Sequence, residues 1–133
     1  MKITICAVLF STTLLSAQSV WDGVYTQAQA DRGKAVYAKS CAACHGATLD
    51  GSGAAPPLAG ADFRGEWNGK TAADLYDKTQ TTMPADQPGT LTPAQTSDIL
   101  AFLFASNGFP AGSKDLPADA AALAKIPIEA AKK

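Results

Sequence analysis

Cys41-Ala42-Ala43-Cys44-His45 is the stretch on which the reading of this chain turns. Two thiols stand three positions apart and an imidazole follows directly. At the end of a helix, that spacing offers both sulfurs to vinyl groups on neighbouring pyrroles of a porphyrin and leaves His45 beneath the iron as an axial ligand. It is the attachment pattern of haem c. Three other readings compete. A thioredoxin-type redox pair needs a strand before the cysteines and a βαβ setting, and no period-two run of useful length occurs. A zinc site needs four ligands, whereas the chain beyond residue 17 offers Cys41, Cys44 and His45 alone. A chance match within a core helix would leave a reactive dithiol without a task. A disulfide between Cys41 and Cys44 would close a loop too small to stabilise much. One haem c, covalently held by Cys41 and Cys44 with His45 on its iron, is the expectation.

Small residue counts then constrain the second axial position. The chain of 133 residues has 1 His, so a second imidazole cannot come from within it. Of its 2 methionines, Met1 stands at the start, which leaves Met83 as the sulfur for the opposite face. A helical segment ends just before Met83, and Pro84 disfavours helix at Met83 itself. The thioether therefore sits on an extended loop. The plain alternative is a methionine filling a core gap. A Met ligand raises the reduction potential relative to two imidazoles.

Outward from the site, the chain reads as one small all-α domain. Lys2, the apolar run Ile3 to Phe10, Leu14-Leu15 and Ala17 have the parts of a secretory signal over residues 1–17, removed on export. The run is too short to cross a bilayer comfortably; an uncleaved anchor is the alternative. Cys6 leaves with it. Residues 18–133 then form a single domain with a core over 26–108 and a C-terminal extension over 109–133. Gln18 to Tyr25 reads as an extended arm containing Trp21, to which no role attaches. Thr26 caps a helix reaching Ala43, with Ala30, Gly33, Tyr37 and Cys41 on one face. Residues 46–60 are Gly/Ala/Pro-rich loop. Thr71-Ala72-Ala73-Asp74 starts a second helix that ends near Thr81, with Ala72, Leu75 and Tyr76 inward. Thr92-Pro93-Ala94-Gln95 starts a third, with Ile99, Phe102, Leu103 and Ser106 in its stripe and Asn107-Gly108 as its stop. The tail, Leu116 to Lys133, is either a short docked helix around Asp119–Lys125 or a frayed end. Tyr37, Phe63, Tyr76, Phe102 and Phe104 read as core.

The chain resembles the class I c-type cytochromes, small bacterial monohaem proteins with His/Met ligation, over most of residues 26–108. Gly33-Lys34-Ala35-Val36-Tyr37 matches the family's N-terminal helix and Ile99 to Leu103 its C-terminal helix, which implies that Gly33 and Tyr37 cross Phe102. Ala55-Pro56-Pro57-Leu58-Ala59-Gly60 is similar to the family's Gly-Pro-x-Leu-x-Gly segment, with Ala55 replacing the first glycine. By that resemblance the Pro56 carbonyl takes a hydrogen bond from the His45 ring, fixing its orientation. Thr81-Thr82-Met83-Pro84 and Asn107 to Gly112 resemble the cytochromes that accompany bacterial quinoprotein dehydrogenases. Around the haem, Trp67, Arg64, Asn68 and Lys70 are candidate hydrogen-bond donors to propionates, which need neutralising if partly buried. The alternative makes Trp67 a core wall and leaves the charges in water.

An iron with both axial positions filled has no place for substrate, so the expected function is one-electron transfer in the periplasm and not catalysis. A redox donor and acceptor follow, with a quinoprotein dehydrogenase as a candidate donor. Lys+Arg number 11 and Asp+Glu 12, a net charge of −1, which argues against nucleic acid as a partner. Ala42, Ala43, Ala47, Ala54 and Ala55 make a small apolar rim suited to weak docking by a monomer in a transient complex. Two rivals stand: a permanently bound subunit of a dehydrogenase or larger envelope complex, held by 18–25 and 116–133, and a haem sensor or peroxidase whose iron Met83 leaves open.

Overall fold

The computed structural model describes residues 18–133; the secretory-signal reading of 1–17, with Cys6, lies outside them. Among the described residues six α-helices follow one another: α1 Gln27–Ser40, α2 Ala42–His45, α3 Gly60–Trp67, α4 Ala72–Thr82, α5 Pro93–Ser106 and α6 Ala120–Leu123. Among the described residues there is no strand, only isolated bridges between Ser52 and Ala55 and between Thr71 and Pro127. The architecture is all-α with long connecting loops, as the resemblance to class I cytochromes implies.

The long helices start where local chemistry says they should. Thr26, Thr71 and Thr92 each accept a backbone N–H in the first turn of α1, α4 and α5. Asp74 and Gln95 close capping boxes back onto Thr71 and Thr92. α5 ends at Asn107, and Gly108 takes the left-handed conformation at φ +81° that suits a residue without a Cβ.

The core forms where α1 crosses α5. A Cβ on Gly33 would stand 1.8 Å from the Asp98 carbonyl oxygen and 3.0 Å from Phe102 Cβ. The helices approach that closely only because Gly33 has none. Tyr37 lies beside Phe102, ring centroids 5.2 Å apart. Ile99, Leu100, Leu103 and Phe104 are buried, each worth roughly 1.5–3 kcal/mol on removal from water. The inward face of α5 is therefore wider than the sequence stripe, and shifted: Phe104 is wholly buried, Phe102 is half-buried and Ser106 is exposed, while on α4 Tyr76 is half-buried.

Three segments differ from the sequence expectations. The helix from Thr26 does not run unbroken to Ala43: it stops at Ser40, Cys41 leaves helical geometry at φ −127° and ψ −35°, and α2 begins a new turn. Residues 18–25 are not an extended arm. They contain a 3-10 turn over Val20–Asp22 closed by a Ser19/Asp22 capping box, and Val20, Val24 and Tyr25 are buried. Helix α3 covers a stretch beyond Gly60 to which the sequence reading assigns no element. Ala59, at its N-cap, makes no side-chain cap; the Gly60 N–H is instead met at 3.0 Å by Oδ1 of Asn107, from the far end of α5.

The tail is docked. Asp119 caps α6 through the N–H groups of Ala121 and Ala122. Leu116, Leu123, Ile126 and Ile128 are buried. Backbone bonds from Val20 to Pro127, Ala72 to Ile126, Gly69 to Ile128 and Ile128 to Lys70 tie it to the N-terminal turn and the start of α4.

Candidate functional site

Cys41 is at once the last cap of α1 and the first of α2. Its N–H donates to the Tyr37 carbonyl at 2.9 Å, and its own carbonyl accepts from Cys44 at 3.2 Å and His45 at 2.9 Å. One tight turn thus carries both sulfurs and the imidazole. Both cysteines are free thiols, Cys41 half-buried and Cys44 exposed. Burial pushes the Cys41 thiol up to about 11, so it is protonated at neutral pH.

The loop after α2 closes over His45 by meeting the carbonyls that the short helix leaves free. Gly46 N–H donates to Ala42, Gly51 N–H to His45 at 2.8 Å, and the Ser52 hydroxyl to Cys44 at 2.8 Å. Tyr37 Oη donates to the Gly46 carbonyl at 2.7 Å. Burial, with the charges that Cys41 and Asp50 carry once ionised adding to it, pushes that phenol up to about 12 and keeps it a donor. Gly51, at φ +78°, has no room for a Cβ, which would meet the Ala55 carbonyl at 2.7 Å and Pro57 N at 2.8 Å. Leu49 holds a positive φ of 62° in the same loop, a strained conformation worth roughly 1–2 kcal/mol.

The returning chain sets the Pro56 carbonyl 2.9 Å from Nδ1 of His45. A carbonyl only accepts, so Nδ1 is the donor, and in a neutral ring Nε2 is the nitrogen left with a lone pair. His45 is buried. A neutral imidazole with one nitrogen engaged and the other free is the form a metal ligand takes.

Met83 caps the C-terminus of α4. Its N–H donates to Thr79 at 3.1 Å, and its backbone is extended at φ −116° and ψ 151°. The side chain is half-buried, as are those of Leu58, Ala59, Trp67 and Tyr76. By chemistry, two thiols, an imidazole and a thioether are the donors that haem c takes.

The other candidates lie on or next to α3. Arg64 reaches the Asn107 carbonyl through Nη1 at a long 3.4 Å. Trp67 packs against Phe63, centroids 6.2 Å apart, with Lys70 Nζ 4.7 Å above its ring. Lys70 also pairs with Glu66 at 2.6 Å, and the Asn68 side-chain oxygen takes the Ala130 N–H at 2.8 Å. Trp21, which had no assigned role, donates through its indole N–H to the Glu129 carbonyl at 3.0 Å and meets Phe109 edge-on at 4.8 Å.

Asn107 is the residue that sequence reasoning undervalued. Read as a helix stop and as the start of a family-like stretch, it is buried, accepts from Gly60 N–H, and donates to the carbonyls of Leu58 at 3.0 Å and Leu103 at 2.8 Å. It joins the end of α5 to the segment that follows Pro56. The only local signal was its side chain, one of the few able both to end a helix and to bridge.

A family model described as cytochrome c oxidase, cbb3-type, subunit III, matches residues 28–103. No curated protein sequence matches the chain. Among solved structures, the sulfane dehydrogenase SoxCD from Paracoccus pantotrophus is similar, with 27% identity and a TM-score of 0.48. That match covers 80% of this chain but 61% of the other.

Proposed function

The chain belongs to the family described as cytochrome c oxidase, cbb3-type, subunit III, and from that membership we propose that it carries single electrons in the bacterial periplasm. It is a c-type cytochrome with covalently bound haem c, an electron-transfer protein and not an enzyme. The observation that carries the reading is the turn at 41–45: two free thiols beside a buried imidazole whose Nδ1 is held by Pro56.

When bound, haem c supplies a one-electron iron couple. In this proposal Cys41 and Cys44 would hold it as thioethers, and His45 Nε2 and the Met83 sulfur would bind its iron. The Pro56 carbonyl stops the imidazole from rotating and raises its basicity. Trp67 and Arg64 would serve the propionates. Electrons come from a dehydrogenase, of quinoprotein type by the resemblance at Asn107 to Gly112, and pass to a respiratory acceptor. Docking uses the exposed small residues around Cys44, namely Ala43, Ala47 and Ala54 with Pro56, a patch of the low-area kind that transient redox complexes use. The segments 18–25 and 116–133, on which a permanent attachment to a larger complex would draw, spend their apolar side chains on the chain's own core. That favours the free carrier.

Optical spectra of the exported protein test the ligand set. Sharp low-spin bands on reduction, and the weak far-red band of an iron–sulfur bond when oxidised, are expected. Met83→Ala should abolish the far-red band. A high-spin resting spectrum that shifts on adding carbon monoxide would instead mean an open iron and a sensor or peroxidase.

A further inference from the structure

Gln80 sits in the last turn of α4, one turn before Met83, and its side chain does not face solvent freely. Nε2 donates to the Leu91 carbonyl at 2.7 Å, and Oε1 accepts from the Thr96 hydroxyl at 2.7 Å. The orientation of the amide is fixed by chemistry: the Leu91 carbonyl only accepts, so the nitrogen faces it and the oxygen faces Thr96. Thr96 is wholly buried on α5, and Leu91 is the buried residue at which the loop after Met83 re-enters the core.

That loop has little else to hold it. Residues 85–90 are exposed, and their hydrogen bonds run within the loop, Gln87 N–H to Pro84 and the Thr90 hydroxyl to Gln87. The helix turn before Met83 is itself weak. Thr79, Thr81 and Thr82 all turn their hydroxyls back onto carbonyls four residues earlier, a pattern that slightly destabilises and bends helices. Gln80 therefore joins both ends of the segment bearing Met83, one through its own helix and the other through Leu91, and anchors them to α5.

We infer that Gln80 is a positioning residue for Met83, clamping the ends of its loop so that the thioether is held in place. This rests on the reading that Met83 binds the iron. The clamp acts through the loop, by the bonds to Leu91 and Thr96.

The test uses the haem-loaded full chain and three variants. Gln80→Leu removes both bonds. Gln80→Glu keeps an acceptor for Thr96 and loses the donor to Leu91. Thr96→Val cuts the other arm. In Gln80→Leu the far-red band should disappear on heating well before the far-UV helix signal. Carbon monoxide should displace Met83 from the reduced iron roughly five- to tenfold faster, the scale of losing one or two partly buried hydrogen bonds. Gln80→Glu should fall between Gln80→Leu and the unaltered chain, and adding Thr96→Val to Gln80→Leu should change little further because the two share one network. An unchanged carbon monoxide rate and far-red band in Gln80→Leu overturns the inference. So does a variant in which far-red and helix signals merely melt together, since that is general destabilisation. Should the unaltered protein itself lack the far-red band, the Met83 reading fails first and the inference with it.

Discussion

Gly33 lies inside α1, so its importance comes from space and not from backbone freedom. The Cβ that Gly33→Ala introduces would overlap the Asp98 carbonyl at 1.8 Å, and a carbonyl inside a packed helix cannot step aside. The substitution should force α1 and α5 apart and cost about 3 kcal/mol, at the upper end of overpacking penalties. Chemical denaturation followed by far-UV circular dichroism measures it, and a cost under about 1 kcal/mol would mean the crossing is looser than described. The family resemblance places Gly33, Tyr37 and Phe102 together, and the ring distance of 5.2 Å agrees. Phe104 is legible in the sequence only as core. Nothing in its position along the chain says that it lies among Tyr25 and Phe109, with centroids at 6.4 and 5.8 Å.

Among the helices, legibility tracks where the cap comes from. α1, α4 and α5 carry their N-caps in the adjoining residue and are readable to within a few positions. α3 is not, because its N-terminus is satisfied by Asn107, which is remote in sequence. Removing that side chain should therefore unsettle a helix it does not belong to. Asn107→Ala is expected to cost about 2 kcal/mol and to speed hydrogen exchange at the Gly60 to Phe63 amides more than in α1. Equal protection in both helices would show that α3 does not depend on this cap. Gln29 behaves alike on the other side of the molecule. Buried in α1, it accepts from Leu116 N–H at 2.6 Å and donates to the Leu116 carbonyl at 2.9 Å and to Ser97 at 3.2 Å. A polar residue on an otherwise apolar face is the only hint of this three-way junction.

Across the described residues, the first and last segments are what the core closes upon: the turn at 20–22 with its flanks and the tail contribute Val20, Tyr25, Leu116, Leu123, Ile126 and Ile128 to it. Charge then supports the same closure at the surface. The Thr26 hydroxyl and the Arg32 guanidinium hold the Asp115 carboxyl below the usual carboxylate range, and the Thr71 N–H does the same for Asp74. Both groups are favoured ionised by folding, so their contribution is complete above the unfolded value of about 4 and fades as pH falls through their lowered folded values. Because they are exposed, the slope should be shallow. Asp115→Asn should lower stability at neutral pH and flatten its decline below a pH of about 4; denaturation curves across that range check this, and an unaltered slope would count against it. The haem chemistry and the three main helices follow from the chain's own residues, because a pentapeptide, a residue count and adjacent caps are local and need no folded neighbour. The existence of α3, the bonds made by Gln80 and the docking of residues 18–25 and 116–133 emerge only on folding. Each depends on a partner distant in the chain, and a hydrogen bond or apolar contact between such partners leaves no periodic mark on either one.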